Sequence, residues 1–363
     1  MNIPDLTNDE QRRGGLELGV VVSAAYSTNT FLSRDNPVPD SVFRVGPAMS
    51  YTQGDSKEGE GGYIQFAYQP TGVVYGKSKS NNRIDQVAAL AAGWRGKSSK
   101  ITYTGTAKQL GDAIPDTGVR SDRVELENEL RGAWIVREKI SLEVAAGGTS
   151  ARFENPDLVS SGRIYGEVAL RYAYSPKTQV GLAYRAGQLK IENGDDQSTR
   201  QLSGSIDWQP REKISVKLES GAETRRFDGG TKTNPVVRAR IEWLPRQETR
   251  LFLTAYQRNE VSALNQGQVF NVKGLTAGIS QRLGSKWTAK LETGFEKATY
   301  FAVQSNGFPA RNDEAWFVNP SLTYLISDEC DVSLFHRTSS NTSSDQNFGF
   351  DDALTGLELN YQF

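Results

Sequence analysis

Charged side chains spaced two residues apart are the first candidates for chemistry in this chain. Glu125, Glu127 and Glu129 follow one another at that spacing, and Glu143 stands in the next run of the same kind. Arg238 and Arg240 repeat the spacing, with Arg225, Arg250, Arg258 and Arg282 in neighbouring runs. A step of two puts side chains on one face of a β-strand. Facing acidic and basic surfaces in a water-filled passage would set up a transverse field that orients polar solutes. The alternative is a hydrated inner wall whose charges are partly self-paired, and Glu242, Lys217 and Glu219 within the basic group weaken the contrast. Covalent and metal chemistry have less to work with. His336 is the one His and Cys330 the one Cys, which leaves Ser-His-Asp, Cys-His and His-rich zinc arrangements unsupported. Asp195–Asp196 and Asp351–Asp352 carry no EF-hand pattern and read as solvated turn residues. A glycosidase needs two placed carboxyls, and 43 acidic residues single out no pair. The expectation is a protein that is not an enzyme and uses no cofactor or metal.

The elements that must position these charges form a repeat. In "KISVKLESGAE", Ile214, Val216 and Leu218 share one face while Ser215, Lys217 and Glu219 share the other. Eighteen such alternating runs follow one another from residue 16 to residue 363. No segment sustains a helical period with caps, and no apolar run reaches the roughly 18 residues of a membrane helix. Net charge is −1, so no nucleic-acid partner is indicated. Connections alternate in kind. Tight ones ("GKS", "REK", "SPK", "PRE", "PRQ", "GSK", "SDE") interleave with longer ones rich in Gly, Asn, Asp and Pro, such as "GDAIPDTGVR" and "VQSNGFPARND". This is the pattern of an up-and-down meander. Strands of soluble proteins average about five to six residues. Runs twice that long, tilted near 40°, rise about 30–38 Å, enough to cross an apolar band about 25 Å tall. The expected fold is all-β: a single transmembrane antiparallel barrel of eighteen strands over residues 16–363, preceded by a polar tail over residues 1–15 on the periplasmic side. The tail shows no signal peptide and reads as the start of a mature or truncated chain.

Aromatic residues mark the ends of the runs. Trp94, Trp134, Tyr174, Trp208 and Trp243 come just before tight turns and Trp287 just after one. Amphipathic rings favour the lipid–water interface, so these six are assigned to a membrane girdle. Phe153, Phe227, Tyr256, Tyr300, Phe301 and Trp316 are assigned to a second girdle at the long-loop end, with Phe252 and Tyr256 also candidates for the inner face.

The chain closes on "GLELNYQF", with Leu357, Leu359, Tyr361 and Phe363 on one face. A terminal aromatic after an alternating strand resembles the signal read by the outer-membrane barrel assembly machinery, although Gly356 stands seven residues before the end where the usual signal has a Gly five before it. A second resemblance lies at the start. Ala25, Tyr26, Asn29 and Phe31, followed by Asp40, Phe43, Val45 and Pro47, are similar to the opening of the putative beta-barrel porin 2 family. Thr28 departs from the acidic residue common there. The resemblance implies an outer-membrane location and a conduit for exported polysaccharide. It brings no catalytic residues. A small-solute diffusion porin and a structural barrel without transport are the alternatives. An even strand count with both ends at the short-turn side agrees with periplasmic termini. A circular barrel of eighteen strands has a backbone diameter of about 35 Å and a polar interior of about 20–25 Å. No loop looks long enough to fold inward and narrow it, so the lumen is open, narrowed by wall side chains, or closed by the N-terminal tail or a separate periplasmic partner. A pore this wide would leak unplugged, which favours a periplasmic export partner or a gated state.

Overall fold

The computed structural model describes residues 15–54, 60–114, 116–117, 119–227, 230–264, 268–301 and 310–363. Eighteen strands close one sheet. They are β1 (Gly15–Ser27), β2 (Asp40–Gln53), β3 (Gly61–Tyr75), β4 (Arg83–Arg95), β5 (Ser99–Leu110) and β6 (Arg123–Arg137). There follow β7 (Ile140–Phe153), β8 (Ser161–Ser175), β9 (Thr178–Ile191), β10 (Gln197–Arg211), β11 (Ile214–Phe227) and β12 (Gly230–Arg246). The last are β13 (Thr249–Val261), β14 (Val269–Leu283), β15 (Trp287–Tyr300), β16 (Arg311–Ser327), β17 (Cys330–Ser343) and β18 (Phe350–Gln362). Each pairs antiparallel with its sequence neighbours, and β18 closes on β1 from Gly19↔Gln362 to Ser27↔Leu354. Closure leaves no strand edge unpaired, which a lipid-facing sheet requires. The tail lies almost wholly outside the described residues.

The register explains which face is which. Between β10 and β11, Trp208↔Val216, Ile206↔Leu218 and Leu202↔Ala222 point out, while Asp207↔Lys217 and Ser205↔Glu219 point in. Leu182, Leu202, Ile206 and Leu218 are all exposed. Similar residues continue around the circumference, an apolar surface far larger than the few hundred Å² usual for a soluble monomer. The barrel is therefore apolar outside and polar inside.

The tight turns share a device. The register shifts between Trp208 and Arg211, and again between Trp243 and Arg246. Pro210 and Pro245 sit in these bulges, where a missing N–H breaks no regular ladder bond. The bulge follows the Trp each time, so "DWQPRE" and "EWLPRQ" are two copies of one turn.

One long connection departs from expectation. The segment between β5 and β6 carries a short hairpin, Ala113–Ile114 with Val119–Arg120, and its tip bonds to β15 and β16 on the opposite wall. The mouth is therefore crossed by an inward loop, where the sequence pattern implied none. Six residues separate the end of β5 from Asp116, a reach of at most about 20 Å. An arginine side chain adds about 6 Å to that reach, so the walls joined here stand closer than the 35 Å of a circular barrel. Loop length alone concealed this, because a modest loop suffices once the cross-section is not round.

Candidate functional site in the lumen

The crossing is built around Asp116. Its carboxylate accepts hydrogen bonds from the Tyr300 hydroxyl, from Arg311 Nη2 at 2.9 Å and from the Ala263 backbone N–H at 3.1 Å. Arg311 Nη2 also donates to the Asp116 carbonyl at 2.9 Å and pairs with Asp313 at 3.0 Å. The guanidinium lies over the rings of Tyr300 and Phe348, at 3.8 and 4.0 Å. Tyr300 stacks on Phe270 with centroids 4.4 Å apart, and Val272 and Ala298 complete an apolar seat on the inner wall. Charge-assisted bonds held against apolar rings are stronger than the same bonds in open water. A second loop joins the same point. Ala263 accepts from Val159 N–H at 2.7 Å, and Val159 packs with Leu189, Ile191 and Val261. Three connections, those after β5, β7 and β13, thus meet around Ala263. The root of the crossing loop is fixed too: Arg120 donates to the Gly111 carbonyl at 2.5 Å and to Asn81 at 2.7 Å.

The register places all ten sequence-assigned charges on the inner face. Glu125, Glu127 and Glu129 come from β6 and Glu143 from β7. Arg225 comes from β11, Arg238 and Arg240 from β12, Arg250 and Arg258 from β13, and Arg282 from β14. They do not form two bare sectors of opposite sign. Arg131 binds Glu129 at 2.9 Å and reaches Glu143 and Glu167 at 3.2 Å. Arg123 binds Glu125 at 2.7 Å, and Arg171 lies 3.4 Å from Glu143. On the basic side Glu223 pairs with Arg225 at 3.0 Å, Glu242 with Arg250 at 2.6 Å and with Arg240 at 3.6 Å. Glu260 pairs with Arg258, and Arg238 stands 3.8 Å from Glu219. These partners share the inward parity and neutralise each sector locally, which favours the hydrated, self-paired inner wall over an open transverse field. Among the described residues, Glu127 and Arg282 make no ion pair.

Below the crossing loop a cavity of about 710 Å³ opens on the lumen. Its lining runs from β5 to β13 and includes Lys108, Glu127, Arg163, Arg185, Tyr256 and Arg258. Tyr256 donates to Glu296 at 2.5 Å and lies under the Arg258 guanidinium. Its ring fits because Gly274 opposes it: a Cβ there would meet the ring at 2.2 Å. Lumen walls whose charges are paired locally can pass hydrated polar solutes.

Trp94, Trp134, Tyr174, Trp208, Trp243 and Trp287 are exposed on the outer face at the short-turn end. The second ring differs from expectation. Parity turns Phe153, Phe227, Tyr256 and Tyr300 inward, and Tyr300 is only 2% exposed. Phe301 lies beneath Lys232, and Trp316 alone of the six is exposed on the outer face. In β18, Leu357, Leu359, Tyr361 and Phe363 are exposed outside, and Phe363 N–H bonds to Leu18 at 2.8 Å. Gly356 faces in, where a Cβ would meet the Phe335 ring at 2.6 Å. His336 lies mid-strand in β17 and bonds Thr355 and Thr338. Asp352 is no bare turn residue, since it accepts from Ser27 and from Asn29 N–H and ties β18 to the β1–β2 loop. The described residues hold no cluster suited to a metal ion. Sequence reasoning missed Asp116, Ala263 and Arg311, because "GDAIPDTGVR" looks like any polar turn.

Comparison with known proteins agrees with this architecture. Residues 230–363 match the family described as putative beta-barrel porin 2, in the opposite half of the chain from the motif resemblance at residues 25–47. The chain is similar to OccAB3 of Acinetobacter baumannii, with a TM-score of 0.50 and 10% identity over 96% of this chain and 99% of that one. OpdQ of Pseudomonas aeruginosa gives 0.48 and 12% over 96% and 98%. The outer membrane protein OpdK of the same organism gives 0.46 and 13% over 96% and 99%. No curated protein is matched. The closed eighteen-strand barrel is the fold of outer-membrane porins.

Proposed function

We propose that this chain, whose residues 230–363 belong to the putative beta-barrel porin 2 family, is an outer-membrane diffusion pore for small polar solutes. The observation that carries this reading is the loop across the mouth, held by Asp116 against Tyr300, Arg311 and Ala263. A bridged mouth above a wall of locally paired charges favours sieving by size and hydration over selection by net charge. β1 begins and β18 ends at the short-turn end, which we assign to the periplasm. The outer wall is assigned to outer-membrane lipid, and the exposed terminal aromatics of β18 to the barrel assembly machinery. Export of a polysaccharide is the weaker reading. A polymer thread needs a continuous wide path, and it would meet the loop and the cavity walls before it left the lumen.

Planar-bilayer conductance tests the proposal. The wild-type barrel should give a steady, modest conductance with little cation–anion preference. Asp116→Asn removes the charge that ties the loop to Arg311 and leaves that guanidinium paired with Asp313 on its own strand, so the conductance should rise and larger neutral polymers should enter. A wild-type barrel with no conductance would sink the pore reading. Unchanged size exclusion in Asp116→Asn would remove the loop as its determinant.

A further inference from the structure

The lipid-facing wall carries a feature that the pore does not use. On β7, β9, β10 and β11 the outward faces end in cations towards the long loops: Arg152, Lys190, Arg200 and Arg226. Their outward direction follows from register. Val124↔Arg152 and Ala186↔Arg200 share the face of the exposed Val124 and Tyr184, and Gly162↔Lys190 and Ser198↔Arg226 share that of Ile164 and Leu202. All four are exposed, and among the described residues none makes a hydrogen bond or an ion pair.

Their depth is common. Arg200 stands eight residues from Trp208, and Arg152, Lys190 and Arg226 stand ten from Leu142, Val180 and Val216 at the other end of the same faces. Eight to ten residues at about 3.3 Å, tilted near 40°, span about 20–25 Å. That is the height of the apolar band, so the four charges sit at its far boundary, level with lipid head groups. Equivalent positions on the other flank carry no charge. Tyr26, Phe43, Val74, Ile84 and Val124 stand eight to ten residues from Leu16, Tyr51, Ile64, Trp94 and Trp134, and all five are exposed apolar or aromatic side chains. Two more outward cations reach this depth, Lys273 on β14 and Lys297 on β15, ten residues from Leu283 and Trp287, and Lys297 is paired with Glu314. The four on β7 and β9 to β11, along one arc, form the largest unpaired group on the wall among the described residues. Glu154 and Glu192 stand one step further out on the faces of Arg152 and Lys190, and neither is paired with them.

We infer that this arc docks the phosphate groups of a phosphorylated glycolipid in the outer leaflet. The inference rests on the reading of the chain as a membrane barrel. Four cations at head-group depth, without protein partners, gain most from phosphates fixed in the bilayer beside them. Each guanidinium can hold a phosphate through two parallel bonds. The acyl chains of the same lipid lie against the apolar face below.

The test uses the full barrel and lipid A, a phosphorylated glucosamine disaccharide, as probe. Wild type and a variant with Arg152→Gln, Lys190→Gln, Arg200→Gln and Arg226→Gln are reconstituted in phosphatidylcholine vesicles with and without lipid A. EDTA is present, so that no divalent ion bridges Glu154 or Glu192 to phosphate. Native mass spectrometry after detergent extraction reads retained lipid, and titration reads affinity. Wild type should retain lipid A in preference to phosphatidylcholine, with salt-dependent affinity, and the variant should bind roughly 100-fold more weakly. The three Arg→Lys changes should retain most of the binding, and Lys177→Gln with Arg211→Gln at the short-turn end should change nothing. Equal retention by wild type and variant would overturn the inference, as would full displacement by inorganic phosphate. If both insert and conduct yet show no preference for lipid A, this inference fails and the pore stands. If wild type inserts into neither vesicle, the membrane reading fails with it.

Discussion

Each strand of this barrel has two faces a few ångströms apart that follow opposite rules. On β8 the outward Ile164, Val168, Leu170, Tyr172 and Tyr174 are exposed and uncharged. The inward Tyr165, Glu167 and Arg171 of the same strand meet Glu129, Glu143, Arg131 and Arg185 through bonds and ion pairs. In the middle of the apolar band the outer face tolerates no charge because lipid offers it no partner, and the outward charges stand at its boundary. The inner face tolerates many because each can find a partner or water. The difference teaches that hydrophobic residues here set depth and enclosure, while selection among dissolved solutes must come from the paired inner wall.

The sharpest way to break that contrast lies inside. Arg225 is 2% exposed and Glu223 6%, with Asn259 donating to the same carboxylate at 3.0 Å. Glu223→Ala leaves a buried guanidinium without its partner and should cost about 3–5 kcal/mol. Urea unfolding in lipid vesicles, followed by Trp fluorescence, reads the loss, and joint replacement of Glu223 and Arg225 by Met should restore much of it. A charge moved to the outer face comes next. Val168→Arg in mid-band should cost about 2–4 kcal/mol in the same assay. Thr254→Arg, on the inner wall, should stay within about 0.5 kcal/mol; equal costs at the two sites would erase the distinction between faces. The smallest effect belongs to a pair at the boundary. Lys297 and Glu314 meet at 2.6 Å on the outer face, both about half exposed. Glu314→Gln should cost at most about 1 kcal/mol and less at high salt. A larger, salt-independent cost would place that pair inside the apolar band.

How much of this was legible beforehand depends on which physics each feature obeys. Parity is local, so the strands, the two faces, the short-turn aromatics and the inward direction of all ten charges could be read from alternation alone. The closing strand was legible for the same reason. Partnership is not local. Arg131 reaches Glu143 and Glu167 across two neighbouring strands, and that requires register, which alternation does not reveal. The second aromatic ring failed because proximity to a loop was weighed above parity: Tyr256 and Tyr300 stand on inward positions. Asp116 was beyond reach, since its partners lie 147 and 195 residues away and are chosen by the closed shape of the sheet.

The Asp116 crossing has a mechanical consequence. A hoop of hydrogen-bonded staves resists stretching along each stave but can ovalise by small changes in the angles between neighbours. A tie fixed at two far-apart points of the hoop suppresses that deformation along its own axis and leaves the perpendicular one free. Lateral pressure on the wall near β15 and β16 would then be felt at β5 and β6 as tension in a single carboxylate. The aperture would change shape in one direction only, as a braced ring does.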